Sequence, residues 1–210
     1  MYDLFNPPPD TKDIEIITSV NKDLSKIEGL RYVKNFISDS EELELIQFIN
    51  SQVWLSDIKR RVQHYGYKYD YRARTIDYSM YLGPLPTWSE TIAKRLILNN
   101  YLSQLPDQII VNEYLPGQGI ANHVDCEPCF GDTIITISLN STCIMDFINL
   151  ETKEKIEVIL EPRSLVVISG ISRYNWSHGI VARKTDIINQ TKINRGLRFS
   201  LTFRNVIFKK

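Results

Sequence analysis

The sequence lacks most of what marks a membrane, secreted or strongly charged protein. No apolar run approaches the roughly 20 residues that cross a bilayer. The opening MYDLFNPPPD has no basic-then-apolar secretion signal, so the expectation is a soluble intracellular protein of cytoplasm or nucleus, with no membrane role. Cysteine is scarce: three residues, an odd number without framework spacing, exclude a disulfide scaffold and predict reduced thiols. Net charge is missing too. The 25 basic residues balance the 25 acidic ones, so any affinity for nucleic acid has to come from a local patch. With only three histidines, the choice of metal ligands is small.

What is present is a 43% hydrophobic chain with 11 tyrosines, long enough for one domain with a substantial core. Residues 1–28 read as an N-terminal arm, because NPPPDTKD neither continues a helix nor pairs centrally in a sheet. Residues 29–210 read as a single domain. Its first helix is SDSEELELIQFIN, where Ser38 and Glu41 form a capping-box pattern and Leu45, Ile46 and Ile49 share a face. A second, LPTWSETIAKRLILNNYL, offers Thr87 and Glu90 as another capping box, with Trp88, Ile92 and Leu96 on one stripe. From residue 107 the texture changes to short β-branched runs: QIIVNEY, TIITISL, CIMDFI, IEVIL, SLVVIS and LRFSLTFRNV. Short strands divided by Gly, Pro and Asn turns predict a mostly β (α+β) fold, a sandwich or barrel supported by N-terminal helices.

The octapeptide NHVDCEPC, residues 122–129, permits three readings. A zinc knuckle using Cys126 and Cys129 needs a second ligand pair, and Cys143 has no neighbouring cysteine or histidine to supply it. An iron site using His123 and Asp125 needs another histidine, either His64 or His178. A polar loop that binds nothing needs no further residue. The last strand bears on the choice. In LRFSLTFRN, Leu197, Phe199, Leu201 and Phe203 fall on one face, and Arg198, Ser200, Thr202 and Arg204 on the other. That second face would meet solvent in an ordinary sheet. In a barrel mouth its two arginines would grip both ends of a short dicarboxylate, because guanidinium forks bind carboxylates at two points and stay charged. Asn112 and Tyr114 also share a face and run into the H-x-D loop.

Together these residues resemble the AlkB-type branch of the Fe(II)- and 2-oxoglutarate-dependent dioxygenases. The pattern is Asn112-Glu-Tyr114, then His123-Val-Asp125, a distant His178, and Arg198-Phe-Ser200-Leu-Thr202-Phe-Arg204. The resemblance covers roughly residues 57–208. RRVQHYGYKYDY, NEYLPGQGIANHVD and SGISRYNWSHGI look most like the subgroup containing the animal tRNA wobble-uridine hydroxylase. Two departures stand out: Ser200 replaces the asparagine of the bacterial prototype, and the RNA-recognition and methyltransferase modules of the animal enzyme are not in this sequence. The resemblance implies a double-stranded β-helix (jelly-roll) with a β-hairpin lid, and Fe(II) on His123, Asp125 and His178. It implies 2-oxoglutarate held by Asn112, Tyr114, Arg198, Ser200, Thr202 and Arg204, with Arg198 on the far carboxylate and Arg204 on the one beside the metal. With O2, 2-oxoglutarate would be converted to succinate and carbon dioxide while a C–H bond of the substrate is hydroxylated. On an N-methyl group the product breaks down to formaldehyde, which is demethylation.

The substrate implied is nucleic acid, DNA or RNA, with a modified base, and no obligate protein partner is evident. KRRVQHYGYKYDYRAR, residues 59–74, carries six cations against Asp70, and Tyr65, Tyr67, Tyr69 and Tyr71 alternate along it. Arg60, Arg61, Tyr65 and Tyr67 are therefore candidate substrate contacts, since cations steer phosphates and aromatics stack on unpaired bases. The same segment also reads as a lid packing its tyrosines on the core with its charges solvated. Arg173 resembles a family position near the substrate base, while Trp176 reads as core. Oxygenation of a protein or small molecule, and a metal-free binding module on the same scaffold, are the alternative functions.

Overall fold

The computed structural model describes residues 21, 23–56 and 58–208. The residue 1–20 part of the expected arm lies outside them. Residues 21 and 23–28 do not behave as an arm. The Asn21 side chain donates to the Ile159 carbonyl and accepts from the Ile159 amide, and Ile27 is buried. The folded domain therefore begins earlier than the proline run suggested, because polar and apolar anchors follow it.

In chain order the elements are β1 (Leu30–Val33), α1 (Asp39–Ser51), β2 (Val62–Tyr65), α2 (Trp88–Leu98), β3 (Gln108–Tyr114) and β4 (Ile120–His123). Then follow β5 (Ile134–Leu139), β6 (Cys143–Asn149), β7 (Lys155–Leu160), β8 (Leu165–Ile168), α3 (Ile171–Tyr174) and β9 (Trp176–Ile180). A hairpin of β10 (Thr185–Ile188) and β11 (Thr191–Asn194) precedes β12 (Arg198–Arg204). Ser38 caps α1 with the full reciprocal box expected. The Thr87 box does not form, because Thr87 adopts a helical backbone and Glu90 pairs with Lys94 instead.

Two antiparallel sheets make the jelly-roll. The larger runs β1-β8-β5-β12-β3-β2 and the smaller β4-β9-β6-β7. Period-two alternation on β12 sets the layering. Phe199, Leu201 and Phe203 join Ile49, Leu96 and Ile109 in the core between the larger sheet and the helices. Burying each such side chain contributes about 1.5–3 kcal/mol. The opposite face points between the sheets, where Phe130, Phe147, Val158 and Trp176 form a second core. Both faces of β12 are thus buried, and its polar face lines an interior rather than meeting bulk solvent.

The lid departs from expectation. Residues 62–65 are strand β2 of the larger sheet, paired with β3. Gly66, at φ +78°, then turns the chain away, and any Cβ there would sit 1.8 Å from the Asp107 carbonyl oxygen. Beyond it the lid is held by single bridges, Tyr67 with Tyr81 and Asp70 with Thr75, rather than by a regular hairpin. The turn breaks the tyrosine alternation: Tyr65 packs on the helix-side core, while Tyr67, Tyr69 and Tyr71 pack on the inter-sheet side. Among the described residues no helix is long and apolar enough to cross a membrane.

Candidate active site

His123 ends β4 directly opposite His178 on β9. The two strands approach closely because residue 179 is glycine, where a Cβ would meet Asn122 Oδ1 at 2.2 Å. Asp125 follows two residues after His123, and the donor atoms of the three side chains all lie within 4.8 Å of one another. His123 Nδ1 is 2.9 Å from the Ala121 carbonyl, which only accepts, so Nδ1 carries the proton and Nε2 is left as a metal donor. Burial pushes His178 down to about 4, more than the neighbouring Asp125 pulls it up, so its ring is neutral at pH 7. Burial alone would raise the Asp125 carboxyl, but Arg204, His178, His123 and Arg173 outweigh it and hold it at about 2. A His123 Nε2 free to donate, a neutral His178 and a carboxylate make the donor set that Fe(II) takes in a facial triad.

The triad borders a cavity of about 1010 Å³ between the sheets. Asn112, Tyr114, Arg198, Ser200, Thr202 and Arg204 all line it, as strand parity required. Arg198 is 2% exposed and donates from Nη2 to Ser138 Oγ at 2.8 Å, while its Nε and Nη1 have no hydrogen-bond partner among the described residues. Buried cationic donors without an acceptor call for an anion. Arg204 differs. Its Nη2 lies 2.6 Å from Asp125 Oδ1, its guanidinium stacks 4.4 Å over Phe130, and its buried Nε has no hydrogen-bond partner among the described residues. The donor set suits Fe(II), and the unpartnered arginine atoms suit a carboxylate-bearing co-substrate.

Residues 50–204 match the 2OG-Fe(II) oxygenase superfamily. The chain belongs to that superfamily. Within it the chain falls in the AlkB-type branch. It is an oxygenase that uses Fe(II), 2-oxoglutarate and O2. The Acanthamoeba polyphaga mimivirus protein named "Uncharacterized protein L905" is 37% identical over 90% of this chain and 90% of its own length. The Mus musculus tRNA (carboxymethyluridine(34)-5-O)-methyltransferase ALKBH8 is 38% identical over 85% of this chain, which spans only 30% of that relative. Among solved structures, OsALKBH1 shares the fold with a TM-score of 0.64 at 16% identity, over 84% of this chain and 96% of that one.

Several residues expected at the oxygenase's substrate side do not reach the cavity. Arg61 pairs with the buried Glu113 through two bonds of 2.8 and 2.6 Å and lies over Trp54. Tyr65 faces the helices, for the reason given by Gly66. Tyr67 meets Tyr81 and Phe208 at the surface. Arg173 is 2% exposed and donates to the backbone carbonyls of Asp125, Cys126 and Gly131, so it clamps the metal-ligand loop instead of facing substrate. Arg60 does line the cavity. Lining residues that sequence reasoning did not single out include Tyr69, Tyr71, Arg74 and Met145. The tyrosine alternation pointed at the first two, but the parity change at Gly66 chose between them and Tyr65. Trp176 is core, as expected. Cys126 and Cys129 form a disulfide in the turn after Asp125, against the expectation of free thiols. Their spacing in a tight turn brings the sulfurs together, and so pairs them with each other rather than with a zinc ion.

Proposed function

We propose that this oxygenase oxidises a modified base in nucleic acid, either demethylating it or leaving a stable hydroxyl. The observation that carries the reading is the shape of the cavity: the triad lies inside it, Tyr69 and Tyr71 of the lid form an aromatic wall, and the exposed cations Lys59 and Arg74 stand at its lid side. An unstacked base needs an aromatic surface, and its flanking phosphates need cations. Arg72 adds a further exposed cation in the same lid. The tRNA-directed name of the mouse relative supports the same substrate class.

In this reading His123, Asp125 and His178 hold Fe(II), and 2-oxoglutarate places its far carboxylate on Arg198 beside Asn112 and Tyr114. When bound, the metal and co-substrate supply, with O2, the oxidant for C–H hydroxylation. The chain's own residues do the positioning. Arg173 and Arg204 fix the Asp125 loop and carboxylate, His123 is held in one tautomer by Ala121, and Ser138 orients Arg198. The lid tyrosines wall the cavity, Tyr71 packing on His64 of β2 and Tyr69 on Phe130. The test is incubation with Fe(II), 2-oxoglutarate and a panel of base-modified DNA and RNA oligonucleotides, read by mass spectrometry. A mass change on a modified base that depends on 2-oxoglutarate is expected. Succinate formation stimulated by a peptide or metabolite panel, with no oligonucleotide changed, would refute the substrate class while leaving the oxygenase chemistry intact.

A further inference from the structure

Arg60 belongs by sequence to the cationic lid, yet its contacts are with β3 of the larger sheet. Its Nε donates to Asn112 Oδ1 at 2.8 Å, and its guanidinium carbon sits 5.5 Å from the centre of the Tyr114 ring. Arg198 lies 5.4 Å from the centre of the same ring. One aromatic side chain is thus shared by two guanidinium groups, an arrangement that concentrates positive charge at a single spot of the cavity.

The hydrogen bond to Asn112 has a directional consequence. A carboxamide presents an acceptor oxygen on one branch and a donor NH2 on the other, and a guanidinium has no acceptor. Arg60 therefore selects the rotamer in which Oδ1 faces the lid. The branch left over is Nδ2, a donor. Asn112 is only 8% exposed and lines the cavity beside Arg198, so that donor belongs to whatever occupies the cavity. Flipped, the same amide would offer an oxygen lone pair to an anion and repel it.

We propose that Arg60 is a positioning residue of the 2-oxoglutarate subsite, which locks the Asn112 amide with Nδ2 turned to donate to a co-substrate carboxylate. The inference rests on the placement of 2-oxoglutarate argued above. It gives the lid a second role: the segment that covers the substrate also sets the polarity of the co-substrate site. Lys59, the preceding residue, accepts a bond from Gln118 Nε2 through its carbonyl, which ties the backbone at this point to the loop before β4.

A double-mutant cycle tests it, using the full chain with Zn(II) as a redox-inert metal and N-oxalylglycine as the unreactive ligand. Affinity is read by calorimetry and by the ligand-induced shift in melting temperature. Arg60→Met is expected to weaken N-oxalylglycine about tenfold, the size of one charge-assisted bond. In an Asn112→Ala background the same change should cost less than about twofold, because there is no amide left to orient. Arg60→Lys, which keeps a donor and the charge, should recover part of the loss, and Arg60→Ala serves as the working variant should Arg60→Met not fold. The proposal fails if Arg60→Met, or Arg60→Ala in its place, leaves N-oxalylglycine affinity unchanged while Asn112→Ala and Arg198→Met weaken it. It fails equally if Arg60→Met costs the same in both backgrounds, which would make Arg60 a source of charge only. A loss of oligonucleotide affinity and salt dependence with N-oxalylglycine binding intact would return Arg60 to a phosphate contact. If neither Asn112→Ala nor Arg198→Met weakens the ligand, the placement of the co-substrate is wrong, and that failure is recognisable as a separate one.

Discussion

Replacing Arg198 with methionine is expected to move stability and co-substrate binding in opposite directions. The side chain is 2% exposed, with one bond to Ser138 and with Nε and Nη1 unpartnered among the described residues. Each buried donor left without an acceptor costs about 1–3 kcal/mol, and losing the Ser138 bond costs about 1 kcal/mol. Methionine fills much of the same volume without the charge. The net is a gain of about 2 kcal/mol for the ligand-free protein, or about 4–8 °C in melting temperature at this chain length. Binding goes the other way. A dicarboxylate loses its buried charge partner, worth about 3 kcal/mol or more, so N-oxalylglycine affinity in the presence of Zn(II) should fall at least about a hundredfold. A 2-oxo acid without the distal carboxylate should lose little. Differential scanning fluorimetry with and without each ligand reads both effects. A variant that melts lower than the parent without ligand, yet keeps its full N-oxalylglycine shift, would refute the reasoning, because Arg198 would then be a satisfied structural residue.

Four further expectations follow from the site and its surroundings. Alanine at His123, Asp125 or His178 should abolish stoichiometric metal in the purified protein, whereas Cys126→Ser with Cys129→Ser should retain it; inductively coupled plasma mass spectrometry decides, and loss of metal in the cysteine variant overturns the triad assignment. Arg61→Gln strips the partner from the buried Glu113 and should cost about 1–2 kcal/mol of stability, discounted because Arg61 is half exposed, with no change in oligonucleotide binding. Arg72→Gln with Arg74→Gln should instead lower the salt dependence of oligonucleotide binding by about 1–2 units of log–log slope, and an unchanged slope would assign these cations to solvent. In the metal-free protein, His178 stays neutral down to about 4 while an unfolded histidine takes up a proton near 6.5. The unfolded state then binds more protons across that window, so stability should fall as pH drops from about 6.5 to 4. His178→Gln should flatten that part of the melting profile, and an equal slope in the variant would refute the assignment.

The site was legible wherever chemistry and strand parity constrained the same residues. H-x-D followed by a histidine 55 residues later is weak by itself, and the polar face of β12 made it specific. Parity carried Arg198, Ser200, Thr202 and Arg204 to one side, and the register of β12 against β3 sets Arg198 opposite Tyr114 and Ser200 opposite Asn112. Parity failed where one residue broke the strand. The tyrosines of the lid alternate without interruption in sequence, but the left-handed turn at Gly66 puts Tyr65 on the far side of the sheet from Tyr69 and Tyr71. Short strands with little apolar content were also hidden. Strand β4 reads IANH, and the β10–β11 hairpin turns on Asn189-Gln190, both at positive φ, instead of the asparagine–glycine pair that announces such a turn.

The two arginines of β12 mark where one-dimensional reasoning stops. Treated as a pair, they called for one doubly negative ligand, since two buried cations facing each other need two negative charges. The structure divides them. Arg204 already has a counter-charge in Asp125, an interaction between side chains 79 positions apart that no spacing rule contains. Of the two, Arg198 is the one left with buried donors on both Nε and Nη1 that no described residue satisfies. The division changes what Arg204 is expected to do. Bound to a carboxylate that itself faces the metal, it tunes the charge and orientation of a metal donor, so its removal should perturb metal affinity before it perturbs co-substrate affinity. Arg198 carries the opposite expectation, a lost co-substrate with the metal retained. Parity put both residues in the cavity, but the distance to Asp125 is what separates their roles.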